Sequence, residues 1–265
     1  MALTVVEATL QVTKRPVLRG RVPATLVRIC VHPRWPTTSV AGYAGSFMTS
    51  VRAVVFDFDG TILDTETPVY ESWASAFRFA GVEPVPLHIW LQSIGKADND
   101  ALDLRSMMCD ELRLAEVPVE VEEHRRSSRD EMLAGQPIRP GVQRWIEAAV
   151  AAKAPLAIAS SSPTDWVRPH LERIGLAEFF AVFSCADPGT PGKPDPFVYA
   201  RACADLGVAP SDAIAIEDST HGVTAAITAG LRCIAAPGPI TKTMNFSHAT
   251  LRTDDLSQVD PTDWL

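Results

Sequence analysis

From Arg52 onward, short apolar runs alternate with longer stretches in which apolar residues recur every three or four positions. That alternation predicts a parallel sheet covered by helices, because strands buried on both faces read as near-continuous hydrophobic runs while crossover helices carry a single apolar stripe. Strands are expected at 52–58 (RAVVFDF), 154–160 (APLAIAS), 181–186 (AVFSCA), 213–218 (AIAIED) and 232–236 (RCIAA). Between Thr65 and Gln136 the pattern stays helical: PVYESWASAFRFAG, KADNDALDLRSMMCDEL and VPVEVEEHRRSSRDEMLAG all carry the helical period, and no strand interrupts them. Pro140 and Gly141 then punctuate the chain before a helix that leads into the second strand. The fold class is therefore α/β: residues 48–65 and 138–265 form the sheet domain, 66–137 a small all-helical insertion, and 1–47 an N-terminal extension.

Composition narrows the function classes. With 265 residues, 46% hydrophobic and 21% charged, the chain can bury one large domain, or one domain carrying a smaller one. A formal net charge of -8 gives no footprint for nucleic acid or an anionic membrane, yet a local basic group still suits a small anionic substrate. No apolar stretch approaches the roughly 20 residues a membrane helix needs. Cys30, Cys109, Cys185, Cys203 and Cys233 lie far apart with no CxxC pair, which reads as reduced thiols in the cytoplasm. A monomer is expected, with a homodimer as the alternative. Residues 1–47 depart from this composition, because Lys14, Arg15, Arg19, Arg21, Arg28 and Arg34 face only Glu7. An upstream start codon with Met48 opening the protein, an organellar transit peptide and an added ordered element all fit such a leader.

The candidate chemistry gathers where strands end. FDFDGTILDTETP, residues 56–68, crowds Asp57, Asp59 and Asp64 around Gly60. Ligands in open α/β sheets sit beyond the carboxyl ends of the strands, so Asp57, Ser160 and the Glu217/Asp218 pair converge despite their separation in sequence. A magnesium ion takes one or two carboxylates plus water and a substrate phosphate, a demand that Asp57 and Asp218 meet. Gly60 exposes backbone amides to an anion, Ser160 offers a hydroxyl, and Lys193 in GTPGKPDP offers a point charge. Each has a plainer reading by itself: a turn cap for Asp59, a helix N-cap for Ser160, a solvated loop charge for Lys193, a surface acidic pair for Glu217/Asp218. His88, His124, His170, His221 and His248 lack ligand spacing, and Trp73, Trp90, Met107 and Met108 read as core of the insertion. The stretch EVEEHRRSSRDE reads as a solvated helix face.

Four segments in order, DFDGT (57–61), IASSS (158–162), GKPDP (192–196) and IEDS (216–219), resemble the four motifs of the haloacid dehalogenase (HAD) superfamily of phosphohydrolases. The likeness spans nearly all of residues 51–250, and the helical insertion after the first motif resembles the C1 cap of the β-phosphoglucomutase-like and phosphoglycolate-phosphatase-like subfamily. The resemblance implies a Rossmann-like core with a C1 cap and an aspartyl-phosphate on Asp57. It implies Asp59 as acid and then base, with Ser160, Ser161, Lys193 and Gly60 around the phosphate. Mg2+ is implied at Asp57, Asp218 and the Asp59 carbonyl, with Glu217 orienting a bound water. The expected activity is hydrolysis of a small phosphorylated metabolite, with specificity set in the cap by residues such as Trp90, Gln92, Lys96 and Asn99.

Two alternatives are weighed. In the sugar phosphomutase pattern a His follows the DT pair by four positions and an Arg lies three after the cap-loop Gly; here those places hold Val69 and Asp98, which disfavours a mutase. Asp59 argues against carbon–halogen displacement, which needs no acid, and Lys96 is the one cap lysine available for the Schiff base of phosphonate cleavage. A catalytically quiet binding protein is the other class, and intact Asp57, Asp59, Lys193 and Asp218 count against it.

Overall fold

Strand β1 (Ala53–Phe56) is built from AVVF, four apolar residues that are all fully buried. The computed structural model describes residues 50–96 and 102–265. Successive side chains of a strand point to opposite faces, so Val54 and Phe56 enter one apolar cluster while Ala53 and Val55 enter another. The first cluster is closed by Trp145 and Ile146 of a helix at Val142–Ala152 and by Val167 and Leu171 of a helix at Thr164–Arg173. The second is closed by Tyr199 and Ala202 of a helix at Phe197–Leu206 and by Val223 and Ala226 of a helix at Thr220–Ala229. Helices therefore cover both faces, as a parallel sheet requires.

The other strands are β2 (Leu156–Ser160), β3 (Phe180–Cys185), β4 (Ala213–Glu217), β5 (Arg232–Ala235) and β6 (Leu251–Arg252). They lie in the order β3-β2-β1-β4-β5-β6, and every neighbouring pair is parallel. This is the Rossmann-like α/β architecture. The edge strand β6 adds to the five strands expected; at two residues it leaves no periodic signal and is defined only by pairing with Ile234 and Ala235. Asp57, Phe58 and Asp218 fall just past the ends of their strands, so the chemistry-bearing residues begin where the ladder stops.

Helices α1 (Glu66–Phe79), α2 (Leu87–Trp90), α3 (Leu104–Leu112) and α4 (Val119–Ala134) follow β1, and no strand is present among the described residues of this stretch. They share their own apolar cluster of Ala76, Phe77, Leu104, Met108 and Val121, against which Trp73 and Trp90 pack. Met108 is fully buried there, but Met107 is 37% exposed, so only one of the two methionines is core. The two connections to the sheet domain meet side by side. Leu63 forms an antiparallel bridge with Ile138, and the Arg139 amide donates to the Ile62 carbonyl at 2.9 Å. Numbering the remaining helices in chain order gives α5 (Val142–Ala152), α6 (Thr164–Arg173), α7 (Phe197–Leu206) and α8 (Thr220–Ala229). No helix among the described residues is long and apolar enough to cross a membrane. The expected extension 1–47 and the cap residue Asn99 lie outside the described residues.

Candidate active site

Parallel pairing of β1 with β4 brings Asp57, Glu217 and Asp218 to one end of the sheet. One oxygen of each lies within 4.8 Å of the others, and all three residues are buried. Buried Lys193 lies against two of them, its Nζ donating to Asp57 Oδ1 at 2.5 Å and to Glu217 Oε1 at 2.6 Å, while the positive charge that acts on Asp218 is that of Arg139. Glu217 is fully subscribed: Oε1 also accepts from the Tyr199 hydroxyl at 2.6 Å, and Oε2 accepts from the Asp218 amide and from the amide and hydroxyl of Ser219. Asp218 Oδ2 accepts from Thr241 Oγ1 at 3.1 Å, and that hydroxyl accepts from the Gly238 amide.

The loop after β1 approaches this cluster closely. Gly60 has φ +75°, and a Cβ there would lie 2.2 Å from Asp218 Oδ2, so both conformation and space demand glycine. Arg139 fixes the loop from behind by donating to the carbonyls of Gly60, Ala236 and Pro237. Asp64, one residue before the N-cap Thr65 of α1, accepts from the Thr67 amide in the helix's first turn at 3.1 Å. The Thr61 and Thr67 hydroxyls are buried without hydrogen-bond partners.

The Asp59 carboxylate points to other partners. Its Oδ1 accepts from Thr65 Oγ1 at 2.7 Å and from the Trp166 indole N–H at 2.8 Å, while Oδ2 accepts from Ser162 Oγ at 2.6 Å. Ser160 Oγ accepts from the Ser162 amide at 3.0 Å, which shapes the turn leaving β2. Ser161 bridges core and cap, accepting from the Lys193 amide at 3.0 Å and donating to the Gly95 carbonyl at 2.8 Å. Beside it, the His221 Nδ1 hydrogen-bonds the Ile94 carbonyl at 2.8 Å. Gly95, at φ +82°, packs so closely that a Cβ would lie 2.4 Å from Ser219 Oγ. The cap loop is thus seated on the core at this edge of the site.

The electrostatics call for a cation. Burial, set against the pull of Lys193 and aided by Glu217 and Asp59, pushes the Asp57 carboxyl up to about 7. Burial and the charges of Asp57 and Glu217 push Asp218 well above the carboxylate range. Desolvation and the charges of Asp59, Asp57 and Asp64 push Glu66 up to about 8. Burial alone would lower the Lys193 pKa, but Asp57 and Glu217 outweigh it and hold the ammonium charged. Three buried carboxylates outnumber the Lys193 ammonium and the half-buried Arg139 guanidinium that act on them, and an all-oxygen donor set fits a hard divalent ion such as Mg2+.

The cap residues expected to set specificity are placed differently from one another. Trp90 packs in the cap's own core beside Tyr70, at 5.9 Å between ring centroids, and its indole N–H has no hydrogen-bond partner. Gln92 is exposed, and Lys96 is half-buried beside the seated Gly95 loop. Thr65, Ser162, Trp166, Tyr199, Arg139 and Thr241 were not singled out from sequence. Ser162 closes the IASSS segment and Thr65 lies within FDFDGTILDTETP, which is the one signal that could have found them.

The chain matches the family described as haloacid dehalogenase-like hydrolase over residues 51–230. It is 34% identical over 212 residues to YhcW of Bacillus subtilis, a protein named as a phosphatase, with 79% of this chain and 94% of the relative covered. It is 28% identical over 217 residues to a phosphorylated carbohydrates phosphatase of Thermotoga maritima, covering 81% of this chain and 97% of that one. Among solved structures, a variant of CbbY from Rhodobacter sphaeroides in complex with xylulose-(1,5)bisphosphate aligns with a TM-score of 0.60 at 25% identity, covering 78% of this chain and 96% of that chain.

Proposed function

This chain belongs to the haloacid dehalogenase-like hydrolases, as a phosphoric monoester hydrolase, and on that premise we propose that it cleaves a small phosphorylated metabolite with Mg2+ through an aspartyl-phosphate on Asp57. The observation that carries the reading is the buried cluster of Asp57, Glu217 and Asp218, whose ion pairs among the described residues are those of Lys193 with Asp57 and with Glu217. A cluster so short of positive charge is costly unless a cation or a substrate uses it.

Asp57 and Asp218, with the Asp59 carbonyl, would hold the ion, which supplies positive charge against the phosphate dianion and screens its repulsion of a carboxylate nucleophile. Glu217 contributes charge and anchors Lys193, since its oxygens are taken by five protein donors. An Asp57 oxygen forms the bond to phosphorus as the ester oxygen leaves, and Asp59 gives that oxygen a proton. Asp59, now a carboxylate, then takes a proton from the water that attacks the acyl-phosphate, releasing inorganic phosphate and restoring the Asp57 carboxylate and the protonated Asp59. Lys193 stays protonated throughout and holds Asp57 in place. Ser160, Ser161 and Gly60 border the phosphate position. Gln92 and Lys96, near the cap loop, discriminate among substrates. The relative named for phosphorylated carbohydrates and the bisphosphate-bound neighbour favour a sugar phosphate or similar polyol phosphate.

The test is a phosphometabolite panel with purified protein, with and without Mg2+, followed by acid-quench trapping of phosphorylated protein. Magnesium-dependent release of phosphate, with label on Asp57, is the expected result. Release that ignores chelator, or label on another residue, overturns it.

A further inference from the structure

Trp166 is a half-buried aromatic in the first turn of α6, directly after the turn that leaves β2. Helical side chains lean toward the helix N-terminus, so its indole reaches back over the strand ends. Its N–H meets Asp59 Oδ1 at 2.8 Å, on an oxygen that Thr65 also occupies at 2.7 Å. Two donors saturate Oδ1, whereas among the described residues Oδ2 accepts only from Ser162, at 2.6 Å. The carboxylate is therefore asymmetric, with Oδ2 the oxygen that retains capacity for a proton.

The indole is itself clamped. His170, one turn further along α6, abuts it edge-on with 4.5 Å between ring centroids. From the cap, Arg129 of α4 places its guanidinium carbon 5.5 Å from the centroid of the indole ring. Arg129 is steered by Asp130, which pairs with it at 2.7 Å. A continuous path thus runs from cap helix to indole to the carboxylate next to the nucleophile.

Resting on the reading of Asp59 as the proton donor and acceptor, we propose that Trp166 is a positioning residue for Asp59. It occupies Oδ1 so that Oδ2 makes the proton transfers, and Arg129 ties that alignment to the seating of the cap. Trp166 touches no reacting atom; it acts through the orientation of Asp59.

Leaving-group dependence tests this in the full-length protein with Mg2+. Phenyl phosphate needs its leaving oxygen protonated more than 4-nitrophenyl phosphate does. Since small misplacements of catalytic groups cost about 10²-fold, Trp166→Phe is expected to lower kcat/KM for phenyl phosphate by about 10- to 100-fold. KM should stay within about twofold, and 4-nitrophenyl phosphate should lose far less, because its departure needs little acid help. Arg129→Gln should shift both substrates in the same sense by a smaller factor. Asp59→Asn is the control: it should show the same leaving-group pattern, and adding Trp166→Phe to it should cost nothing further. If Asp59→Asn shows the pattern but Trp166→Phe lowers both substrates equally, or neither, the proposal is wrong and the reading of Asp59 stands. If Asp59→Asn shows no such pattern, the acid assignment falls and this proposal with it. A measurement independent of turnover uses 15N-tryptophan labelling. The indole N–H resonance absent in Trp166→Phe must move in Asp59→Asn, and a resonance that stays in place overturns the contact.

Discussion

Two charge clusters in this molecule are near mirror images. At the strand ends, three buried carboxylates (Asp57, Glu217, Asp218) gather, and the Lys193 ammonium pairs with two of them, Asp57 and Glu217. In the cap, one carboxylate, Glu122, is gripped by three guanidiniums: Arg125 at 2.6 Å, Arg126 at 2.8 Å and Arg105 at 2.9 Å. The cap cluster stands half in water, with the Arg105 and Arg126 side chains 50% and 62% exposed, and Arg125 lies 4.5 Å from the Trp73 ring centroid. Solvent screens its surplus positive charge, so it is complete as it stands. The core cluster is buried and has no such screening, and its excess of carboxylates is what the proposed cation would offset. Sign and burial together separate a structural charge network from a functional one, where either alone would not.

The largest expected effect is on chemistry. Asp57→Asn should reduce turnover by on the order of 10⁴-fold or more with the fold retained, since an amide does not attack phosphorus. Glu122→Gln should leave kcat within about tenfold, because it acts only through the cap. Comparable losses from both, in steady-state assays with circular dichroism as control, would erase the distinction.

Next in size is stability. Lys193→Met strands two buried carboxylates, Asp57 and Glu217, and should destabilise the metal-free protein by roughly 3–5 kcal/mol, read from urea unfolding. Loss of the ammonium without loss of stability would mean that the carboxylates already carry protons of their own.

The clusters should also respond to pH with opposite signs. The folded-state pKa of Asp57, about 7, lies above its unfolded value of about 3.9, so across that window the folded protein holds a proton that the unfolded chain has released. In chelator, stability should therefore fall as pH rises from 5 to 8, and saturating Mg2+ should flatten the slope. For Glu122, burial alone would raise the pKa, but hydrogen bonds from Arg125, Arg105 and Arg126 outweigh it and hold the carboxyl far below its usual range. Its contribution is present above the unfolded value of about 4.3 and is lost as pH falls below that. Thermal melts from pH 3 to pH 8 check both arms, and a metal-free protein that gains stability between pH 5 and pH 8 contradicts the first.

The smallest effect belongs to the rim of the cap cluster. Arg126→Ala should change stability by no more than about 0.5 kcal/mol, because an exposed pair is worth little and Arg105 and Arg125 remain. A loss several times larger, by urea titration, would mean that the network acts as a unit.

Sequence made the core legible because strand ends are one-dimensional landmarks. Asp57, Ser160, Glu217 and Asp218 each follow a short apolar run, and parallel pairing then sets them side by side. Lys193 was legible as part of a motif, but its burial between two carboxylates was not. Trp166 and Tyr199 were invisible because their roles depend on N–H and O–H groups meeting carboxylates 107 and 18 residues away. The cap was legible as helices and illegible in detail. Period alone does not say that Trp90 turns into the cap core, that Met107 faces out, or that Arg125 is buried against Trp73. The two-residue β6 lies below the length at which any pattern exists.

The central place of β1 bears on how the chain is made. Its partners β2 and β4 are synthesised about 100 and about 160 residues after it, so the sheet's middle strand emerges well before either of its neighbours. At about 5–20 residues per second of translation, AVVF waits roughly 10–30 s for its second neighbour, a wholly apolar strand with both edges open. Ionised in water before the sheet closes over them, Asp57 and Asp59 flank that strand as gatekeepers against association with other nascent chains. On this view the carboxylates proposed for phosphate chemistry serve first as solubilising charges on the segment of the newborn protein most exposed to aggregation.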